Sequence, residues 1–216
     1  QIACLTDNTK QEKQAILFAF SQTSTSILAN DVLKTAYPDA YAYLGQTGFA
    51  DIGLEKYIST YKTLKLTNCA SNDFLADVNE IAKGNCEWVW RLPARNALIQ
   101  DIYHSGSIIL FVDALGIEYM SLLQHLFDPT TYEIEAYIGH CNLPSSTSFN
   151  TDFLDGRKHE KFYKLDEFKH SAVTYPENVV MEFELLHEIK AKVDECLRAG
   201  FSVIITSDHG TSRMAV

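Results

Sequence analysis

The chain has no cysteine pair at Cys-x-x-Cys spacing. Its five cysteines (Cys4, Cys69, Cys86, Cys141 and Cys196) are odd in number and widely scattered. That argues against a disulfide framework and against a structural zinc finger. A reducing, cytoplasmic setting is the expectation. No apolar run reaches transmembrane length. No basic segment is followed by the apolar stretch of a signal peptide, so no membrane partner is expected. Basic residues are scarce, 18 Lys and Arg against 28 Asp and Glu, for a net charge of −10. An extended nucleic-acid-binding face needs clustered cations and is not expected here. Internal repeats and low-complexity segments are also lacking. The chain opens on Gln1 and stops at Val216, and it reads as a piece of a longer protein.

What is present can build a core. Of 216 residues, 46% are hydrophobic, including twelve Phe and eleven Tyr, enough for one large domain or a domain with an appendage. Residues 1–90 read as a mainly helical region. Asp7 or Asn8 is positioned to cap a helix over 11–21 with Ile16, Leu17 and Phe20 on one face. A second helix starts near Asn30 or Asp31 and breaks near Pro38. Leu54, Tyr57, Ile58, Tyr61 and Leu64 recur at helical spacing, and Ser71 or Asn72 can cap a helix over 74–83.

From about residue 91 the pattern changes to α/β. A short helix over 94–104 precedes Ser107–Val112, a continuous apolar run of the kind buried on both faces of a parallel sheet. It ends in Asp113. A helix over 117–127 follows. Tyr132–Ile138 alternates apolar and polar residues, which predicts a half-covered strand and so a βαβ unit. Residues 139–150 form a hydroxyl-rich loop, and 151–172 read as polar and irregular. Thr174 to Glu177 has capping-box spacing. The helix after it carries Val179, Phe183, Leu186, Ile189, Val193 and Leu197 as its buried stripe. It leads into a second buried strand, Phe201–Thr206, followed by Ser207, Asp208, His209 and Gly210.

Two buried strands therefore end in aspartates, and one adds a histidine. In open α/β sheets, chemistry gathers beyond the carboxyl ends of the strands. Carboxylates with an imidazole form a metal-ligand set. Two such metals would clamp the oxygens of a displacement at phosphorus. A nearby hydroxyl could then serve as nucleophile. Read singly, Asp113 is as well explained as a helix cap, Thr147 as a turn hydroxyl, and the Asp166–His170 pair as surface. His140, beside the hydroxyl-rich loop, is the other histidine to place.

Val112–Gly116, Leu143–Asn150 and Thr206–Val216 together resemble the PglZ-domain proteins. These belong to the alkaline phosphatase superfamily and include components of BREX-type phage-defence systems. The resemblance spans residues 91–216. It implies a three-layer α/β sandwich with a mainly parallel sheet, an alkaline phosphatase-like core left incomplete at its C-terminus. It also implies a metal-dependent phosphatase or phosphodiesterase with two divalent metals, zinc being the expected one. Asp113, Thr147, Asp208 and His209 would surround one metal, and Asp166 and His170 would hold the second. Thr147 would be the nucleophile, picked from among Ser145, Ser146 and Ser148 by the family frame alone. Asn150 would hydrogen-bond a phosphate oxygen, and Arg213 could hold another. The substrate would be a phosphoester, including a nucleotide, and the partners other phage-defence proteins. The family's further histidine for the second metal does not occur after His209. Two other readings stay open: a catalytically inactive scaffold on the same fold, and a phosphoryl transferase or mutase.

Overall fold

The computed structural model describes residues 6–22, 27–49, 51–69, 72–83 and 91–210. It is a mixed α/β structure with a small parallel sheet. Its contacts define two compact units.

The first unit comprises Gln1–Glu80, Glu118–Tyr132 and Ala172–Glu184. It contains α1 (Lys10–Gln22), α2 (Ile27–Ala36), α3 (Pro38–Tyr43), α4 (Ile52–Thr67), most of α5 (Asn72–Lys83) and α7 (Met120–Leu126). Ile16, Leu17 and Phe20 of α1 are buried, the face expected from their spacing. Its cap differs from the expected Asp7 or Asn8. Thr9 Oγ1 accepts from the Glu12 N–H, and the Glu12 carboxylate accepts from the Thr9 N–H. That reciprocal pair is a capping box. Pro38 does not merely break a helix; it stands in the first turn of α3, where its missing N–H costs nothing. Asp51 caps α4 by accepting from Leu54 N at 2.9 Å. Asn68 closes that helix in the left-handed conformation.

This helical core also holds charge. Lys62 is fully buried; its ammonium donates to Gly45 O at 2.6 Å and to Ser121 Oγ at 3.0 Å. Burial pushes it down to about 8, despite the opposing charges of Glu55 and Glu118. Lys65 forms an ion pair with Glu182 and donates to Tyr119 Oη at 2.8 Å. Tyr119 in turn donates to Glu182 Oε2 at 2.5 Å. Burial opposes the Lys65 charge, yet the adjoining Glu182 raises its pKa above the ordinary lysine value.

The second unit comprises Ile81–Ile117, Glu133–Ser171 and Leu185–Val216. Its sheet has three parallel strands in the order β2–β1–β3: β1 (Ser107–Val112), β2 (His159–Phe162) and β3 (Ser202–Thr206). Ile109 lies opposite both His159 and Ile204. All six residues of β1 are buried, which explains its unbroken apolar run. Ile99 of α6 (Arg95–Ile102), Ile109, Phe111, Phe153 and Leu154 form one core cluster. The helix α9 (Glu177–Arg198) buries Leu186, Ile189 and Val193 here, but Leu197 is exposed and Cys196 takes the inner position. Gly200, at φ +87°, ends it, as a left-handed C-cap requires.

The predicted strand over 132–138 is not formed. The segment has no regular structure, and Ile134 and Tyr137 are both exposed. Among the described residues a single bridge follows it, His140 with Ala94. The ladder position beside β1 belongs to β2, which lies in the stretch expected to be irregular. A four-residue His-Glu-Lys-Phe strand has too little apolar pattern to read, although charge on a sheet edge guards against wrong pairing. The same stretch contains α8 (Lys164–Lys169).

Candidate metal centre

The three parallel strands bring their carboxyl ends to one edge, and the chemistry-bearing side chains converge there. Asp113 follows β1 directly. Its N–H donates to Phe162 O at 3.0 Å, so β2 fixes the point where the chain leaves the sheet. Ala114 then takes a positive φ of 60°. Its carbonyl accepts from Lys169 Nζ of α8 at 2.8 Å, tying this turn to the helix that carries Asp166. Ser207 joins the turns after β1 and β3. Its Oγ accepts from Leu115 N at 3.0 Å and donates to His209 O at 2.6 Å. A Cβ on Gly210 would stand 2.9 Å from Gly116 Cα. The turn after β3 therefore needs glycine where it meets Gly116.

One ligand atom each from Asp113, Asp166 and His209 lies within 4.8 Å of the others. His209 Nε2 is 3.7 Å from Asp113 Oδ1 and 3.4 Å from Asp208 Oδ2. Both of those oxygens are buried, and among the described residues neither accepts a hydrogen bond. The other Asp208 oxygen is used locally, accepting from His209 N at 2.8 Å and from Ser207 Oγ at 3.3 Å. Buried, unsatisfied carboxylate oxygens are costly, and two converging on an imidazole fit a cation. The two carboxylates are shifted in opposite directions. Burial, then the neighbouring Asp208 and Asp166, raise the Asp113 carboxyl to about 6. For Asp208, burial is outweighed by the Thr147 hydroxyl, the His209 charge and the His209 N–H, which hold it below the usual carboxylate range. Such a split is what two close carboxyls adopt when they cannot both ionise freely.

The structure thus gathers Asp113, Asp208 and His209, with the Thr147 hydroxyl beside Asp208. Asp166, expected with His170 at a second metal, lies instead with Asp113 and His209. His170 stands i+4 from Asp166, with Nε2 at 3.4 Å from Asp166 Oδ1, but its side chain is 77% exposed. Thr147 opens a 3-10 turn and is half-buried, whereas Ser145, Ser146 and Ser148 are exposed. Ser146 and Ser148 face each other at 3.3 Å. Asn150 is fully buried. Its amide nitrogen donates to the carbonyls of Asn142, Pro144 and Ser146 at 3.1–3.2 Å. Its oxygen accepts from Asn142 N at 2.8 Å. Its polar atoms are engaged in shaping the loop that carries Thr147. His140 turns Nδ1 to Cys141 O at 3.2 Å. Arg213 lies outside the described residues.

Sequence reasoning missed Arg95, whose guanidinium donates to the carbonyls of Ser207 and Asp208. A lone arginine at a helix start gives no sequence signal of burial. A concavity of about 120 Å³ lined by Ile108, Lys158, Glu160, Lys192, Cys196 and Phe201 lies at the amino end of the strands. There Lys192 is paired with Glu160 and Glu195. Among the described residues no helix is long and apolar enough to cross a membrane. Compared with family models, with curated proteins and with solved structures, the chain matches none.

Proposed function

We propose that this protein is a metal-dependent phosphoester hydrolase with Thr147 as its nucleophile. The observation that carries the reading is the convergence of Asp113 Oδ1 and Asp208 Oδ2, both buried and without a hydrogen bond among the described residues, on His209 Nε2. Asp113, Asp166, Asp208 and His209 would hold the cation. Carboxylates with one imidazole suit zinc or manganese. When bound, such a cation supplies charge stabilisation to the phosphoryl oxygens and lowers the pKa of a ligated hydroxyl. The chain supplies the rest. Thr147 stands beside Asp208, and its proton would pass to water once a bound cation lowers its pKa. A bond forms from Thr147 Oγ1 to phosphorus, the bond to the leaving alcohol breaks, and water then hydrolyses the phosphothreonine. Asn150 holds the loop in shape for that attack. His170 extends the carboxylate side toward a second cation.

We read the parallel sheet as the centre of an alkaline phosphatase-like sandwich, on the grounds that Asp113 and Asp208 leave adjacent strands at one edge. The resemblance of the motifs to PglZ-domain proteins suggests a nucleotide or other phosphodiester as substrate, partners among phage-defence proteins, and a cytoplasmic setting. With manganese or zinc, the protein should cleave bis(p-nitrophenyl) phosphate, and a chelator should abolish the activity. Absence of turnover and of bound metal would favour the scaffold reading. Transfer of phosphoryl to a sugar hydroxyl would favour the mutase.

A further inference from the structure

Arg95 opens α6 and is buried, with 8% of its surface exposed. A buried guanidinium is tolerated only when its donors are satisfied. Among the described residues every acceptor is a neutral oxygen. Nη1 donates to Ser207 O at 3.0 Å and to Asp208 O at 3.1 Å. Nη2 donates to Asn150 Oδ1 at 3.4 Å and to Asn96 Oδ1 at 2.9 Å, and Nε donates to Asn96 Oδ1 at 3.2 Å. Asn96 is oriented by donating both ways to Asp152, at 3.0 and 2.9 Å. The guanidinium lies 4.3 Å from the Phe153 ring centroid, a cation–π contact that fixes its plane.

These bonds join two segments that are 58 residues apart. On one side is Asn150, which gathers the carbonyls of the Thr147 loop. On the other is the backbone of Ser207 and Asp208, which aims Asp208 and His209. We infer that Arg95 is a positioning residue. It locks the Thr147 loop to the Asp208–His209 turn, so that nucleophile and ligands keep one spacing. Its catalytic consequence rests on the phosphoester reading above; the linkage of the two segments does not. A lysine cannot reproduce it, because a point-like ammonium lacks the planar fork that spans four acceptors.

Amide hydrogen exchange on the whole protein tests the linkage directly. In Arg95→Met, exchange in residues 142–150 and in 207–210 should rise together by about tenfold or more, while β1 stays protected. Guanidinium ion at sub-denaturing concentration should return both to the wild-type rate, and Arg95→Lys should behave like Arg95→Met. With metal and bis(p-nitrophenyl) phosphate, kcat should fall by about 100-fold in either variant with KM little changed, the cost of a misplaced reacting group. Loosening of one segment alone, or wild-type exchange and kcat in Arg95→Lys, would overturn the inference. Should Arg95→Met lose the fold entirely, Arg95→Lys carries the same comparison. A wild-type protein with no turnover would refute the phosphoester reading, and the exchange pattern would still decide the role of Arg95.

Discussion

Replacing Thr147 by alanine is expected to lower phosphodiester turnover by at least about 10³-fold, because a nucleophile that forms the covalent bond has no substitute. Bound metal should remain, since the carboxylates and His209 that would hold it are untouched. Thr147 differs from the serines around it in two respects. It is half-buried where Ser145, Ser146 and Ser148 are exposed, and its hydroxyl lies beside Asp208, helping to hold that carboxyl below the usual range. Ser146→Ala and Ser148→Ala should therefore change turnover by less than about threefold, in line with other exposed positions. Steady-state assays with metal content measured on the same samples separate the outcomes. Full turnover in Thr147→Ala would remove the nucleophile assignment, and loss of metal with it would make Thr147 a structural ligand.

The second large effect is on stability and lies in the helical unit. Glu182→Ala should destabilise that unit by about 3–5 kcal/mol, the usual cost of leaving one half of a buried ion pair behind. Glu182 is 1% exposed and accepts from both Lys65 and Tyr119. Without it the Lys65 ammonium and the Tyr119 hydroxyl lose their common acceptor in an apolar setting. A midpoint drop of roughly 10 °C follows for a protein of this size. Replacing all three members together, as Lys65→Met, Tyr119→Phe and Glu182→Leu, should recover most of the loss, because an apolar set of similar volume needs no partners. Thermal unfolding followed by circular dichroism measures both. A drop under about 1 kcal/mol for Glu182→Ala would mean the pair behaves as an exposed one.

Much of this arrangement could be read before any coordinates, for a physical reason that differs from element to element. β1 was legible because a strand inside a parallel sheet must be apolar on both faces, and Ser107–Val112 is buried throughout, its end marking Asp113. β3 was legible as an apolar run, but it lies at the sheet edge and none of its residues is buried. The expected second buried strand is therefore corrected to a half-exposed one, its end still marking Asp208 and His209. The strand predicted at Tyr132–Ile138 was not formed because alternation reports which faces differ in polarity, not whether a neighbour is there to pair. β2 was illegible because His159–Phe162 is short and charged. Asp166 was legible as half of an i, i+4 pair with His170, whose spacing any helix imposes. That Asp166 meets Asp113 and His209 depends on where α8 sits against the strand ends, held by Lys169 on Ala114 O, and local pattern cannot encode that. Asn150 and Arg95 show the same limit. Their roles lie in hydrogen bonds to distant carbonyls, which leave no trace in spacing.

The central claim is that Asp113, Asp166, Asp208 and His209 form one cation site at the carboxyl edge of the sheet. Anomalous diffraction from crystals of the protein soaked in manganese or zinc measures this directly. The account predicts a peak within ligand distance of His209 Nε2 and the Asp113 carboxylate, lost in Asp113→Asn. No peak there in the wild-type protein, or a peak elsewhere that survives Asp113→Asn, would contradict it.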